Sequence, residues 1–308
     1  MPQNSPPPLH GSSRRPVLLV GIDGVRWPLA AREGVAPTLA GVADRAWHRL
    51  DVVPQDLAGP VWTSVLTGVT SDAHGVRENF FVDHRLADHP DLLAQAAQAE
   101  PDARTFAAAG WRALADPQGA GPVIATRPSD IAAGRHRIAY PDGDDMGLVK
   151  ADRQVRNATV AALRADRAPD VAFAYFCGPD EAAYDFGVED PRYAASLSIV
   201  DQHLADLLSV LTSRAGDRSG IGTHSGRSHR VDRTPAAGAA SQPASREDWL
   251  VVIVTDHGLR DGGGRGDAPA KERVGAVLLW AADGRLPDWP SRIAPEELAG
   301  LILAAGRD

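Results

Sequence analysis

Residues 16–24 read PVLLVGIDG, an unbroken apolar run that stops at an Asp-Gly pair. A strand buried on both faces has this form, apolar without alternation, and the Asp-Gly pair supplies a turn at its carboxyl end. The stretch 249–258, WLVVIVTDHG, has the same form and stops at Asp-His-Gly. A third, DVAFAYF at 170–176, runs into CGPD at 177–180. Three such strands predict a parallel sheet, and in open parallel sheets ligands gather outside the carboxyl ends of the strands. Asp23, Asp180, Asp256 and His257 are therefore expected to meet at one edge.

The intervening sequence supplies the covering layers. APTLAGVADRA at 36–46 has helical spacing with Pro37 and Thr38 near its start, and GPVWTSVLTG at 59–68 reads as a helix with Pro60 in its first turn. A helix over 146–164 and a long one over 191–211 follow from their apolar intervals, and APEELAGLILAA at 294–305 is the last. Further strands are expected at WHRLDVV (47–53), TFAAA (105–109), PVIAT (122–126), HRIAY (136–140) and GAVLLW (275–280). Strands alternating with helices imply an α/β fold whose mostly parallel sheet is covered on both faces.

Residues 1–15 are polar and proline-rich and read as a disordered lead; 16–308 reads as a single domain. Within it, 212–248 is rich in Gly, Ser, Arg and Ala without periodicity, and reads as a mobile insertion in which His224 and His229 are solvated loop residues.

Composition narrows the function. Of 308 residues, 44% are apolar and 23% charged, as in a soluble globular protein. A net charge of −8 argues against a nucleic-acid partner, which calls for a basic surface. One cysteine, Cys177, excludes an internal disulfide; following an apolar run, it reads as a buried, inert thiol. No stretch approaches the ~20 apolar residues of a membrane span, and no apolar signal region opens the chain, so a cytoplasmic location is expected.

Each acid at the edge has a plain structural reading. Asp23 could serve only its turn, and Asp180 could cap the segment after Pro179. Asp256 beside His257 is harder to explain so, because a loop after a buried strand rarely needs both. Converging carboxylates repel unless a cation joins them, and oxygen with nitrogen donors suits a hard or borderline divalent ion.

Taken in order, GIDG (21–24), AGPVWTSVLTG (58–68), HGVRENFF (74–81), GPDEAAYDFG (178–187) and TDHG (255–258) make the chain resemble the type I phosphodiesterase/nucleotide pyrophosphatase branch of the alkaline phosphatase superfamily. The resemblance covers roughly 17–277. It implies a three-layer α/β/α sandwich with two metal ions, usually zinc, that hydrolyses phosphate esters through a covalent enzyme intermediate. It places one metal site on Asp23, Asp256 and His257, and a phosphate contact on Asn79. The nucleophile, a Thr or Ser two positions before the proline, corresponds to Ala58, which has no side-chain oxygen. The other metal site corresponds to Asp180, but Tyr184 and Arg265 stand where the family has histidines. A neutral phenol is a poor ligand, and a guanidinium has no lone pair to give. Thr63 and Ser64 lie beyond Pro60 in the helix and read as structural.

These departures imply a degenerate member: a pseudoenzyme that keeps one divalent metal (zinc ahead of manganese or magnesium), with no second, or holds a phosphate-containing small molecule on Asn79 and Arg265. The alternative is an active single-metal phosphoesterase using metal-bound hydroxide. A scaffolding role through the 212–248 insertion is a third.

Overall fold

The runs expected to be buried strands become the centre of one sheet. The computed structural model describes residues 14–52, 57–216, 248–256 and 275–307. Strands β1 (Val17–Ile22), β2 (Trp47–Leu50), β3 (Thr105–Ala109), β4 (His136–Ala139), β5 (Val171–Phe176), β6 (Leu250–Thr255), β7 (Gly275–Ala281) and β8 (Arg292–Ile293) lie in the order β4-β3-β5-β1-β6-β7-β2-β8. Every neighbouring pair is parallel except the two that involve β7, which runs antiparallel to β6 and to β2.

Along the chain the helices are α1 (Trp27–Ala30), α2 (Pro37–Ala43), α3 (Ala58–Thr67), α4 (Ser71–His74), α5 (Leu92–Ala99), α6 (Arg112–Ala115), α7 (Pro128–Ala132), α8 (Gly143–Met146), α9 (Leu148–Arg164), α10 (Gly178–Phe186), α11 (Pro191–Gly216) and α12 (Leu298–Ala305). Successive residues of a strand face opposite ways, and the sheet buries both sets. Leu18, Val20 and Ile22 of β1 join Val155 and Leu163 of α9 and Leu204, Leu207 and Leu211 of α11. Val17 and Leu19 turn the other way, toward Trp62, Val65 and Leu66 of α3, Leu92 of α5 and Ile302 of α12. Two cores on either side of one sheet make the three layers.

Several expectations change. PVIAT at 122–126 forms no strand: Val123 and Ile124 are buried in the second core, but their amides donate to the carbonyls of Ala113 and Leu114 in α6. A short apolar run is ambiguous by pattern alone, and here it packs as a loop. Residues 212–216, assigned to the insertion, continue α11 to Gly216; 217–247 lie outside the described residues. The helix over 146–164 is broken at Gly147, whose φ of 82° separates α8 from α9. Of the lead, 1–13 lie outside the described residues, while Arg15 donates to the carbonyls of Asp248 and Arg285. Among the described residues no helix is long and apolar enough to cross a membrane.

Candidate metal and anion site

The central strands β5, β1 and β6 lie side by side, so their carboxyl ends deliver consecutive groups to one edge. Asp23 directly follows β1, Cys177 follows β5, and Asp256 follows β6. The first turn of α10 then brings Asp180 to the same edge. All three carboxylates are enclosed, with Asp23 1%, Asp180 0% and Asp256 0% exposed.

Main-chain contacts hold the edge together. Asp23 N–H donates to Phe176 O at 2.9 Å, extending the β1–β5 ladder by one residue, and Gly24 N–H donates to Asp256 Oδ1 at 3.4 Å. Gly24 has φ +72°, and a Cβ there would stand 2.6 Å from Asp180 Cα. The glycine of GIDG thus serves twice: it makes the turn, and it lets the backbone of α10 approach β1. Tyr193 of α11 closes the loop by donating to Gly24 O at 2.7 Å and accepting from Arg26 N–H at 2.8 Å.

Ligand atoms of Asp23, Cys177 and Asp180 all lie within 4.8 Å of one another. Cys177 Sγ is 4.0 Å from Asp23 Oδ2. The Tyr175 phenol donates a short hydrogen bond to that same Oδ2 and lies 3.7 Å from Cys177 Sγ. Burial, then the charge of Asp23, pushes the Tyr175 phenol well up, so it stays a donor. The same two causes push up the Cys177 thiol.

Asp152 of α9 is also fully buried and accepts from the Cys177 and Gly178 amides at 3.0 and 2.8 Å. It thereby satisfies donors at the start of α10 from a different helix. Burial raises its carboxyl to about 7, opposed by those two hydrogen bonds. The residue looks like a solvated polar position in the sequence of an amphipathic helix. The periodicity does hint otherwise: Ala151, Asp152 and Val155 lie on the buried side.

A second group lies at the start of α3. Ala58 is its first residue and is buried. Gly59 N–H donates to Asn79 Oδ1 at 2.8 Å, and a Cβ at Gly59 would lie 3.0 Å from that oxygen. Because the donor is an N–H, the amide must present its oxygen to the helix, which turns the Asn79 NH2 away from Gly59. His74 straps the Asn79 loop to α3: its Nδ1 accepts from Val76 N–H at 3.0 Å, and its Nε2 lies 3.0 Å from Ser64 Oγ. The proton is therefore on Nε2, the side that faces Ser64 and the Pro60 carbonyl. Thr63 Oγ1 donates to Gly59 O at 2.7 Å within the helix. Both hydroxyls are thus engaged in structural contacts.

Trp62 and Tyr175 connect the two groups. Their rings meet edge-on, 5.1 Å apart, above Gly21, where a Cβ would come within 2.7 Å of Trp62. Tyr184 lies one turn beyond Asp180 on α10 and is 60% exposed. His257 and Arg265 lie outside the described residues. The oxygen and sulfur donors at the edge suit a divalent cation, while the helix start with the Asn79 amide suits an anion. Cys177, Tyr175 and Asp152 were not singled out as site residues from the sequence; the signal for Cys177 was its place at a strand end three residues before Asp180.

The family model for type I phosphodiesterase / nucleotide pyrophosphatase matches residues 17–219. No curated protein matches the chain. Among solved structures, a 2-O glycosaminoglycan sulfatase aligns at 13% identity over 93% of this chain and 71% of its own, with a TM-score of 0.57. An inactive variant of murine ectonucleotide pyrophosphatase/phosphodiesterase 5, in complex with AMP, aligns at 17% identity over 79% of this chain, with a TM-score of 0.49. The chain spans 57% of the length of that murine protein. Phosphonoacetate hydrolase from Sinorhizobium meliloti, in complex with phosphonoformate, aligns at 17% identity over 82% of this chain and 58% of its own, with a TM-score of 0.46. At these identities the likeness to the sulfatase shows the fold.

Proposed function

Given that this chain belongs to the type I phosphodiesterase / nucleotide pyrophosphatase family, we propose that it is a member that has lost covalent phosphoryl chemistry and binds a phosphate-containing small molecule beside one divalent ion. The observation that carries this is Ala58: the first residue of α3, buried where the family's motif requires a hydroxyl, and holding only a methyl group. The flanking parts remain. Gly59 and Asn79 keep a defined amide arrangement at the helix start, and Asp23, Asp180 and Asp256 stay enclosed at the sheet edge.

Asp23 and Asp180, with Asp256 and the adjoining His257, would hold the ion, whose contribution when bound is to neutralise charge on a phosphoryl oxygen. The residues of the chain do the rest. Tyr175 orients the Asp23 carboxylate, and Gly24 keeps α10 close enough for Asp180 to share the edge. Asn79 keeps its NH2 as a donor on the side away from Gly59, and Arg265, by its place in the family's motif, would add a fixed positive charge able to take an anion through two parallel hydrogen bonds. Without an oxygen on residue 58, no side chain at that position can take up the phosphoryl group.

Elemental analysis of the purified chain, a titration with inorganic phosphate and an assay with an aryl phosphodiester in zinc, manganese and magnesium test this together. The expected result is about one ion per chain, saturable phosphate binding and no turnover. Asn79→Asp keeps the acceptor for Gly59 N–H but sets a negative charge against the anion, so it should abolish phosphate binding while the chain still folds. Absence of phosphate binding in the wild type removes the ligand half of the proposal.

The second reading, an active single-metal phosphoesterase, draws on the retention of three enclosed acids where one cap would serve the fold. Turnover that needs a metal and disappears in Asp256→Ala would select it over the first.

A further inference from the structure

We infer that Cys177 is a metal ligand, its sulfur giving up its proton to solvent as the ion binds and joining the carboxylates of Asp23 and Asp180 in an oxygen–sulfur–oxygen site that favours a zinc-class ion over magnesium or manganese. This rests on the metal-binding part of the proposed function and adds to it a donor that none of the family's motif positions supplies.

The geometry comes first. Donor atoms of the three residues lie within 4.8 Å of one another, and the Sγ–Oδ2 separation from Cys177 to Asp23 is 4.0 Å. Zinc–oxygen and zinc–sulfur bonds are about 2.0–2.3 Å, which places donors on one ion within about 4 Å of each other. The 4.8 Å limit exceeds that by about 0.8 Å, a gap within the reach of side-chain rotation. The backbone is already pinned, Asp23 through its amide on Phe176 O at 2.9 Å and Cys177 through its amide on Asp152 at 3.0 Å. The Tyr175 phenol contacts two of the donors, bonding to Asp23 and standing 3.7 Å from the sulfur. Such outer contacts orient ligands and tune the ion they hold.

The chemistry follows from the donor set. Carboxylates alone suit hard ions, whereas a thiolate selects softer ones. In the family pattern the partners of Asp180 are histidines, and the position one turn along α10 is here Tyr184, 60% exposed. Cys177, at the buried end of β5, supplies a donor from the sheet side. Cys177 belongs to the second apolar core, yet its sulfur also lies beside the Asp23 and Asp180 carboxylates and the Tyr175 phenol, which an inert core thiol would not require.

Cobalt(II) titration of the full chain is decisive, because Cys177 is the only cysteine and any thiolate-to-cobalt charge-transfer absorption must come from it. The expected result is a near-ultraviolet band saturating at about one cobalt per chain, reversed by zinc and not by magnesium. Cys177→Ser, close in size, should lose the band, keep its circular dichroism and bind zinc weaker by at least the ~10–100-fold that loss of an outer-shell partner costs. If Cys177→Ser does not fold, the band in the wild type still decides. Cobalt bound without the band overturns the role of Cys177 and leaves the metal-binding proposal standing; failure to bind cobalt or zinc at all overturns both.

Discussion

Tyr175 reaches across from β5 to donate its phenolic hydrogen to Asp23 at the end of β1. The register sets the two near each other: Tyr175 pairs with Gly21, and Asp23 lies two residues further along the same face. Replacing Tyr175 by Phe keeps the ring against Trp62 and removes only the donor. Loss of a hydrogen bond to a buried carboxylate should cost about 1–3 kcal/mol in urea denaturation. A change under about 0.5 kcal/mol would mean the contact does not support Asp23. Metal affinity should fall as well, since the Asp23 carboxylate loses the group that aims it.

Gly24 and Gly34 provide a matched pair for separating backbone strain from close approach. Their φ values are +72° and +78°, but a methyl group added at Gly34 would meet nothing within 4 Å, whereas one at Gly24 would stand 2.6 Å from Asp180 Cα. Gly34→Ala should cost about 1–2 kcal/mol, the penalty for a left-handed residue bearing a Cβ. Gly24→Ala should cost clearly more and reduce metal binding, because α10 must retreat. Equal losses for the two variants would show that α10 does not depend on Gly24.

Acid should weaken the fold through His74. Burial, helped by the nearby charges of His89 and Arg85, lowers its pKa from 6.5 to about 4. A depressed folded value contributes stability that is present above 6.5 and lost as pH falls toward 4, here up to about 3 kcal/mol. His136, lowered to about 4 mainly by burial, has the same sign. Asp152, raised to about 7, opposes them: its contribution is full below 3.8 and lost as pH rises through 7. The difference between wild type and His74→Gln isolates the contribution of His74. That difference should shrink steadily between pH 6.5 and 4, and a constant difference would contradict the neutral, Nε2-protonated state.

Ala58→Thr alone should not produce turnover of an aryl phosphodiester. On the proposed reading, the added hydroxyl would stand at the start of α3, while the motif positions of two metal ligands would still carry Tyr184 and Arg265. Adding Tyr184→His and Arg265→His should bring metal-dependent turnover above the wild-type baseline. Activity from Ala58→Thr by itself would place the second metal on other residues.

Residues 16–24, 170–176 and 249–258 announced their strands because a parallel strand enclosed on both faces needs a continuous apolar run, and that demand is local. The first and last of these located Asp23 and Asp256, since a polar residue ending such a run has only the sheet edge to occupy; Asp180 follows the middle one in CGPD at 177–180. That residue 58 is an alanine was equally legible, being a matter of residue identity alone. PVIAT at 122–126 misled for the complementary reason: a short apolar run satisfies a strand or a buried loop alike, and packing beside α6 chose the loop.

Tertiary structure alone decided what surrounds the acids. That Cys177 faces Asp23, that Asp152 caps α10 from α9 and that β7 runs against its neighbours all depend on contacts between residues distant in sequence. Apolar periodicity records which face of an element is buried, but not which polar atom waits across the gap. Local apolar pattern was enough for the layers and the acids at their edge; the sulfur and the phenol beside Asp23 came from the register of β5 on β1.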